Sequence, residues 1–315
     1  MEKKKLKCEL YQDSMQNWKK YPIQKAQLVI ADVPYNVGTN FYGSNPVWYN
    51  GGDNKNGESK LAGKAAFASD FNFNLYEYFH FCSQLMKKEP ANGTARGRSS
   101  EAPAMIVFCS FEQIETLKAA ASKNGFPHST PLIFIKNYSP QVLKANMRIV
   151  GATEYALLFW RNRLPKFRNG ARLDENGKNI PGTGKMIFNW FTWDQDGADI
   201  PKIHPAQKPV KVLRRLIEIF TDPGDVVIDP CFGSGSTARA CIDSGRSFYG
   251  FEINKDFYRR AVNEMCNKQY VDEKKELAGQ MNIFGLLEGK DGKEQIQQTE
   301  IRRPRVRKQP VQKAI

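Results

Sequence analysis

The sequence predicts an α/β protein with a doubly wound, mostly parallel sheet. Short apolar runs alternate with longer segments whose apolar residues recur at helical spacing. Turn residues bound those runs, and acidic or glycine-rich turns follow several of them. The length of 315 residues suits two domains or one large α/β domain with an insertion. A unit of this size buries about 75% of its unfolded surface, so it needs neither a metal nor a disulfide to stand.

In chain order, strands are expected at 27–31, 105–109, 132–135, 155–159, 226–229 and 247–251. These are short apolar runs bounded by turn residues, as expected of strands buried on both faces. Helices are expected at 74–88 (Leu75, Tyr78, Phe79, Leu85), 111–123, 209–220 (Val212, Leu213, Leu216, Ile217, Phe220) and 255–269. Two stretches break the alternation. Residues 90–103 are small and polar, a surface loop by composition. Residues 161–203 mix basic side chains, turn signals and aromatics, and read as an insertion. From about 286 the periodicity stops, and Arg302-Arg303-Pro-Arg-Val-Arg-Lys308 marks a basic tail.

Composition excludes several classes. The longest clean apolar stretches, such as 155–160, are far short of the roughly 20 residues of a membrane span. The basic start, Met1-Glu-Lys-Lys-Lys5, leads into no apolar stretch, so the expected location is the cell interior, the cytoplasm. Six cysteines contain no C-x-x-C pair, and His80, His128 and His204 are far from one another, so zinc spacing and a disulfide frame are not expected. The formal charge of +14 is uneven: 136–185 carry +7, 290–315 carry +5, and most of the body is near neutral. Localised basic surfaces on a neutral body suit a polyanionic partner.

Two turns carry chemistry. Asp225-Val-Val-Ile-Asp229 runs into Pro-Cys-Phe232-Gly233-Ser-Gly235-Ser-Thr-Ala238, a strand, a glycine turn and a helix start. Such a turn brings backbone close to a ligand and offers the free amides of a helix N-terminus. Gly233-x-Gly235-x-x-Ala238 also fits a dinucleotide fingerprint, and Glu252 at the end of the next strand could accept ribose hydroxyls in either case. A dinucleotide fold, however, builds about five more strands after this turn, and beyond Glu252 only 63 residues remain. The cofactor half therefore comes last. The second turn is Asp32-Val33-Pro34-Tyr35-Asn36. The exocyclic amine of adenine or cytosine is a poor nucleophile because its lone pair is delocalised into the ring. The Asp32 carboxylate and the Val33 carbonyl, each accepting one N–H, would localise that pair toward an electrophile. Pro34 stiffens the turn, and Tyr35 offers a face on which an extruded base can stack.

Three motifs then coincide. Asp32-Val-Pro-Tyr35 resembles the D-P-P-Y catalytic motif of the DNA amino-methyltransferases, the adenine-N6 and cytosine-N4 family that uses S-adenosyl-L-methionine. Asp229-Pro-Cys-Phe232-Gly-Ser-Gly235 resembles that family's D-P-F-x-G-S-G cofactor motif, and His204-Pro-Ala-Gln-Lys208-Pro209 its H-P-x-Q-K-P segment. Softer matches are Ile135-Lys136-Asn137 and Thr153-Glu154-Tyr155-Ala-Leu-Leu-Phe159. The order of motifs is that of the β-type permutation. Val33 departs from the family pattern, but the role there belongs to the main chain, which valine retains.

The resemblance implies a Rossmann-like methyltransferase sheet, circularly permuted. It implies a catalytic half at 1–160, a target-recognition insertion at 161–203, the cofactor half at 204–269 and an extension at 270–315. Asp32, Val33, Pro34 and Tyr35 are then catalytic, and Asp229, Phe232, Gly233, Gly235, Glu252 and Lys208 hold the cofactor. Arg161, Arg163, Lys166, Arg168 and Arg172 of the insertion are assigned to duplex DNA, as phosphate contacts or guanine readers. Asp at position 32, where the family also uses Ser, points to adenine; cytosine-N4 transfer and a disabled, DNA-binding scaffold are the rival readings. Pro230-Cys231 looks like the nucleophile of ring-carbon methyltransferases, but a cysteine inside a cofactor loop is expected to pack. Gln280-Met-Asn-Ile-Phe284 resembles the Q-L-x-L-F peptide by which bacterial replication proteins dock on the sliding clamp; the competing reading packs it back on the domain.

Overall fold

The computed structural model describes residues 6–34, 73–90, 101–137, 151–172, 180, 182–204 and 206–267, together with the backbone of 141–144 and 149–150. In chain order the elements are β1 (Cys8–Tyr11), β2 (Leu28–Asp32), α1 (Leu75–Leu85), β3 (Ala104–Cys109), α2 (Ile114–Lys123), β4 (His128–Lys136), β5 (Gln141–Lys144), β6 (Ile149–Gly151) and β7 (Thr153–Trp160). They continue as β8 (Trp190–Trp193), α3 (Val210–Phe220), β9 (Val226–Asp229), α4 (Ser236–Asp243), β10 (Ser247–Phe251) and α5 (Lys255–Arg260). Residues 1–270 form one compact unit and 271–315 a second, in which no residue is described. Among the described residues no helix is long and apolar enough to cross a membrane.

Eight strands form one sheet in the order β1-β10-β9-β2-β3-β7-β4-β8, and β5 pairs only with β6. All neighbours in the large sheet are parallel except those of β7, which runs against both β3 and β4. Alternation in the strands builds two cores. Leu28 and Ile30 of β2, with Ile106 and Phe108 of β3, face Leu213, Leu216 and Ile217 of α3. Val29 and Ala31, with Met105 and Val107, face Tyr78, Phe79 and Cys82 of α1 and Leu117 of α2. Each fully buried Leu, Ile or Phe contributes about 1.5–3 kcal/mol of transfer free energy. Helix starts are set by side chains: Asn74 accepts from the Tyr76 and Glu77 amides at α1, and Asn254 accepts from those of Asp256 and Phe257 at α5.

The six expected strands all form, and β4 and β7 run longer than periodicity indicates because they pair along 128–135 and 153–160. Four strands were not anticipated: the β5–β6 ribbon, and β1 and β8 of the large sheet. β1 is short and half-buried, and its amphipathic sequence has no apolar run to signal it. β8 lies inside the stretch read as an insertion, yet pairs with β4 and buries Phe191 and Trp193. The end of that stretch is therefore sheet. The helix expected at 255–269 is α5 to residue 260, followed by a π turn at Ala261–Met265.

Candidate active site

β2 and β9 lie side by side, but the chain leaves them in opposite directions: β2 leads through α1 to β3, and β9 through α4 to β10. Helices α1 and α4 pack on opposite faces of the sheet. This is a topological switch point, and the carboxyl ends of its two strands open a crevice for ligands. Asp32 ends β2 and Asp229 ends β9. The two loops meet, since the Cys231 Sγ donates to the Asp32 carbonyl at 3.5 Å.

Asp32, Val33 and Pro34 form the start of the catalytic turn; Tyr35 lies outside the described residues. The Gln113 amide donates to the Pro34 carbonyl at 2.9 Å, so the loop after β3 holds this turn. The Lys208 ammonium donates to Asp32 Oδ2 at 2.5 Å and lies 3.3 Å from Glu154 Oε2. Glu154 Oε1 in turn accepts from Lys136 at 2.5 Å. Aromatic rings wall this row of charges: Lys208 lies over Phe108 at 5.4 Å and Trp193 at 5.8 Å, and Lys136 over Trp193 at 5.1 Å. Burial pulls the Lys208 pKa down, but the two carboxylates outweigh it and hold the ammonium above its usual range. Glu154 is the mirror case: burial favours its acid form, yet Lys208 and Lys136 keep it ionised and below the usual carboxylate range.

The cofactor loop is built from the β9 end. Asp229 accepts from the Cys231 amide at 3.1 Å and the Thr237 hydroxyl at 2.7 Å. Burial, together with the charges of Asp32 and Glu252, pushes its pKa up to about 7 despite those two hydrogen bonds. Gly233 (φ +51°) donates its amide to Glu252 Oε2 at 3.0 Å, and Gly235 (φ +80°) opens α4. A Cβ at Gly233 would face the His204 ring at 3.6 Å. His204 packs edge-on against Phe257 at 4.6 Å, and burial, with Lys208 nearby, lowers its pKa to about 4. It is a neutral wall of the loop. Burial, with Asp229 and Asp32 beside it, holds the Cys231 thiol well above its usual range, so it packs, as expected, and is no nucleophile.

At Gly235 a Cβ would lie 3.0 Å from Ala261 Cβ and in a left-handed conformation. Gly235→Ala is therefore expected to destabilise the protein by about 1–2 kcal/mol, and thermal unfolding should show a midpoint lowered by roughly 2–8 °C.

The basic residues of 161–172 are placed elsewhere. Lys166 donates to Asp222 and Asp225, each at 2.8 Å, and lies 3.2 Å from Glu101. Arg168 bridges Asp222 and Glu101, and Arg161 donates to the Ser83 and Lys87 carbonyls while stacking over Phe126 at 4.7 Å. Arg163 donates its amide to Glu89, and Arg172 is exposed. Glu101, Asp222 and Asp225 precede β3 and β9, and Arg161 follows the reversed β7, so these groups sit at the amino edge of the parallel strands. Asp32, Asp229 and Glu252 sit at the opposite edge. Internal partners engage Arg161, Lys166 and Arg168 at the edge opposite the crevice, which argues against the DNA contacts expected of them. Arg163 lies on the same side. Lys136 and Glu154 lie in the two softer matches, 135–137 and 153–159, without a role assigned there, and Gln113 falls only within the helix expected at 111–123.

Comparison with known proteins places these features. A family model described as DNA methylase matches residues 26–263. The DNA adenine methyltransferase YhdJ of Escherichia coli is 24% identical over 271 residues, 81% of each chain. The type II methyltransferase M.BglII of Bacillus subtilis is 42% identical over 136 residues, covering 38% of this chain and 37% of its own. The fold is similar to that of the M1.HpyAVI–SAM complex, at TM-score 0.54 and 21% identity over 83% of this chain and 100% of that one. It is also similar to that of the cytosine-N4-specific PvuII DNA methyltransferase, at TM-score 0.53 and 15% identity over 88% and 92%.

Proposed function

Because the chain belongs to the DNA methylase family, we propose that it transfers the methyl group of S-adenosyl-L-methionine to N6 of adenine in duplex DNA. The observation that carries the reading is Asp32 at the switch point, paired with the Lys208 ammonium and in contact with the glycine loop through Cys231. The residues fit the cofactor. Asp32 and Glu252 are close enough for their charges to raise the pKa of Asp229, a concentration of negative charge that suits a cationic ligand, and Gly233 and Gly235 hold the positive-φ turns that open α4 with bare backbone. Asp229, Phe232, Gly233, Gly235 and Glu252 would hold it.

When bound, S-adenosyl-L-methionine supplies an electrophilic methyl group on a sulfonium. The protein's own residues do the rest. The target base swings out of the duplex, because its amine is otherwise engaged in pairing. Asp32 and the Val33 carbonyl accept its two N–H groups and direct its lone pair at the methyl. Gln113 steadies the turn, Tyr35 stacks on the base, and the proton shed by the methylated nitrogen passes to Asp32 or to solvent. Asp at position 32 and the likeness to an adenine methyltransferase over 81% of both chains support adenine over cytosine. DNA is taken to approach the carboxyl edge, where the β5–β6 ribbon leaves β4 and returns to β7 with Lys144 on it. A two-stranded ribbon fits the major groove. The peptide 280–284 and the tail beyond 286 lie outside the described residues; a tail contact with phosphates and docking of 280–284 on a sliding clamp are kept as further parts of the proposal.

Sequencing that reads modified bases, on DNA from cells expressing the chain, tests this. Methyladenine in a defined motif supports the proposal, methylcytosine replaces adenine by cytosine-N4, and unmodified DNA, with purified protein still binding DNA and cofactor, makes it a binding protein. A pH dependence follows as well. Below about pH 7 Asp229 is protonated in the free protein, and a cationic ligand favours its ionised form. Cofactor affinity is therefore expected to rise as pH climbs through 7, with proton release on binding, as calorimetry in buffers of different ionisation enthalpy will show.

A further inference from the structure

We propose that Glu154 is a positioning residue of the transfer reaction: it shares the Lys208 ammonium with Asp32 and so keeps Asp32 a competent acceptor for the target amine. The inference rests on the methylase reading and adds a residue to that site. Glu154 cannot act on Asp32 directly. Asp32 is in register with Phe108 on β3, Phe108 with Ala156 on β7, and Glu154 with Phe134 on β4, so a full strand separates the two carboxylates. The Lys208 ammonium bridges them above the Phe108 ring, 2.5 Å from Asp32 Oδ2 and 3.3 Å from Glu154 Oε2.

The charges therefore alternate in one row, Asp32, Lys208, Glu154, Lys136, between the Phe108 and Trp193 rings. Lys208 and Lys136 are 7% and 10% exposed in their side chains, so water does little to screen the row. An ammonium that belonged to Asp32 alone would neutralise the carboxylate whose lone pairs must accept the amine hydrogens. It would also set an uncompensated cation beside the nitrogen that becomes positive as the methyl arrives. Glu154 draws part of that charge away, and Lys136 fixes Glu154 at 2.5 Å in the orientation that allows it. No loop motion is needed, since β2, β4, β7 and the segment before α3 hold the four charged residues.

The test uses the full chain, a duplex oligonucleotide and saturating S-adenosyl-L-methionine. Glu154→Gln should lower the single-turnover rate about thirtyfold while KM for DNA and the cofactor dissociation constant stay within about threefold of wild type, because the loss falls on the transition state. Glu154→Asp, which restores the charge, should recover at least part of the rate. The double variant Glu154→Gln, Lys136→Met removes a buried pair together, the substitution that folds tolerate best, and should show the same rate loss with an unfolding midpoint near wild type. A Glu154→Gln rate within threefold of an active wild type overturns the inference alone. Parallel losses of rate, binding and unfolding midpoint, relieved in the double variant, mark a purely structural residue and overturn it too. An inactive wild-type chain overturns the methylase reading and this inference with it.

Discussion

Asp32→Ala is expected to lower methyl transfer by about a thousandfold or more, the scale on which a preorganised group aimed at developing charge acts. The carboxylate ends β2 at the switch point and is the member of the site that can meet the amine of an extruded base. Its removal leaves Lys208 with Glu154 as an ionic partner at 3.3 Å, so the ammonium is not stranded and the fold is expected to survive. Cofactor affinity should fall by a smaller factor, because one of the anionic groups near Asp229 is gone. Single-turnover rates, equilibrium cofactor binding and thermal unfolding on the same preparation separate these effects. A variant that still methylates at a tenth of the wild-type rate would remove Asp32 from the chemistry.

Lys166→Met carries the second large effect, on stability. The ammonium is 8% exposed and touches Glu101, Asp222 and Asp225, three acids that belong to the connections entering β3 and β9. Removing one partner from a buried ionic cluster costs on the order of 3–5 kcal/mol. Here the cost falls below that range, to about 2 kcal/mol, because Glu101 and Asp222 are about half exposed, Arg168 still pairs with Asp222 and Lys87 with Asp225. Duplex DNA affinity and its salt dependence should stay at wild-type values, whereas a phosphate-binding lysine would show lost affinity, a shallower salt slope and intact stability. The cluster also sets an acid limit. Arg168, with Lys166, holds Asp222 below the usual carboxylate range. Its contribution is thus complete above the unfolded-state pKa of about 4 and drains away as pH falls toward the folded value.

Much of this protein could be read along the chain. Five of the six expected strands stand out because a strand covered on both faces must be apolar throughout, whereas β4 buries only Leu132 and Phe134 and shows as a short run of large apolar residues; the expected helices show the 3.6-residue period of one buried face. The glycine turn after Asp229 and the Asp32 turn were legible because backbone conformation and nucleophile activation each demand particular residue types at short spacing. β1 and β8 escaped for the converse reason. They are four-residue edge strands, and their partners, not their composition, decide that they pair.

The linear order of residues by itself determined the fold class, the turn that bears Asp32, the loop that bears Gly233 and Gly235, and the sequence in which they occur. Tertiary structure alone decided which charges work together. Lys208 finds Asp32 across 176 positions, and Lys166 finds Asp222 across 56, so the same residue type serves the reaction centre in one case and braces the far edge of the sheet in the other. An ion pair is a contact in space whose worth depends on burial and on the groups around it, and neither is a property of the local sequence.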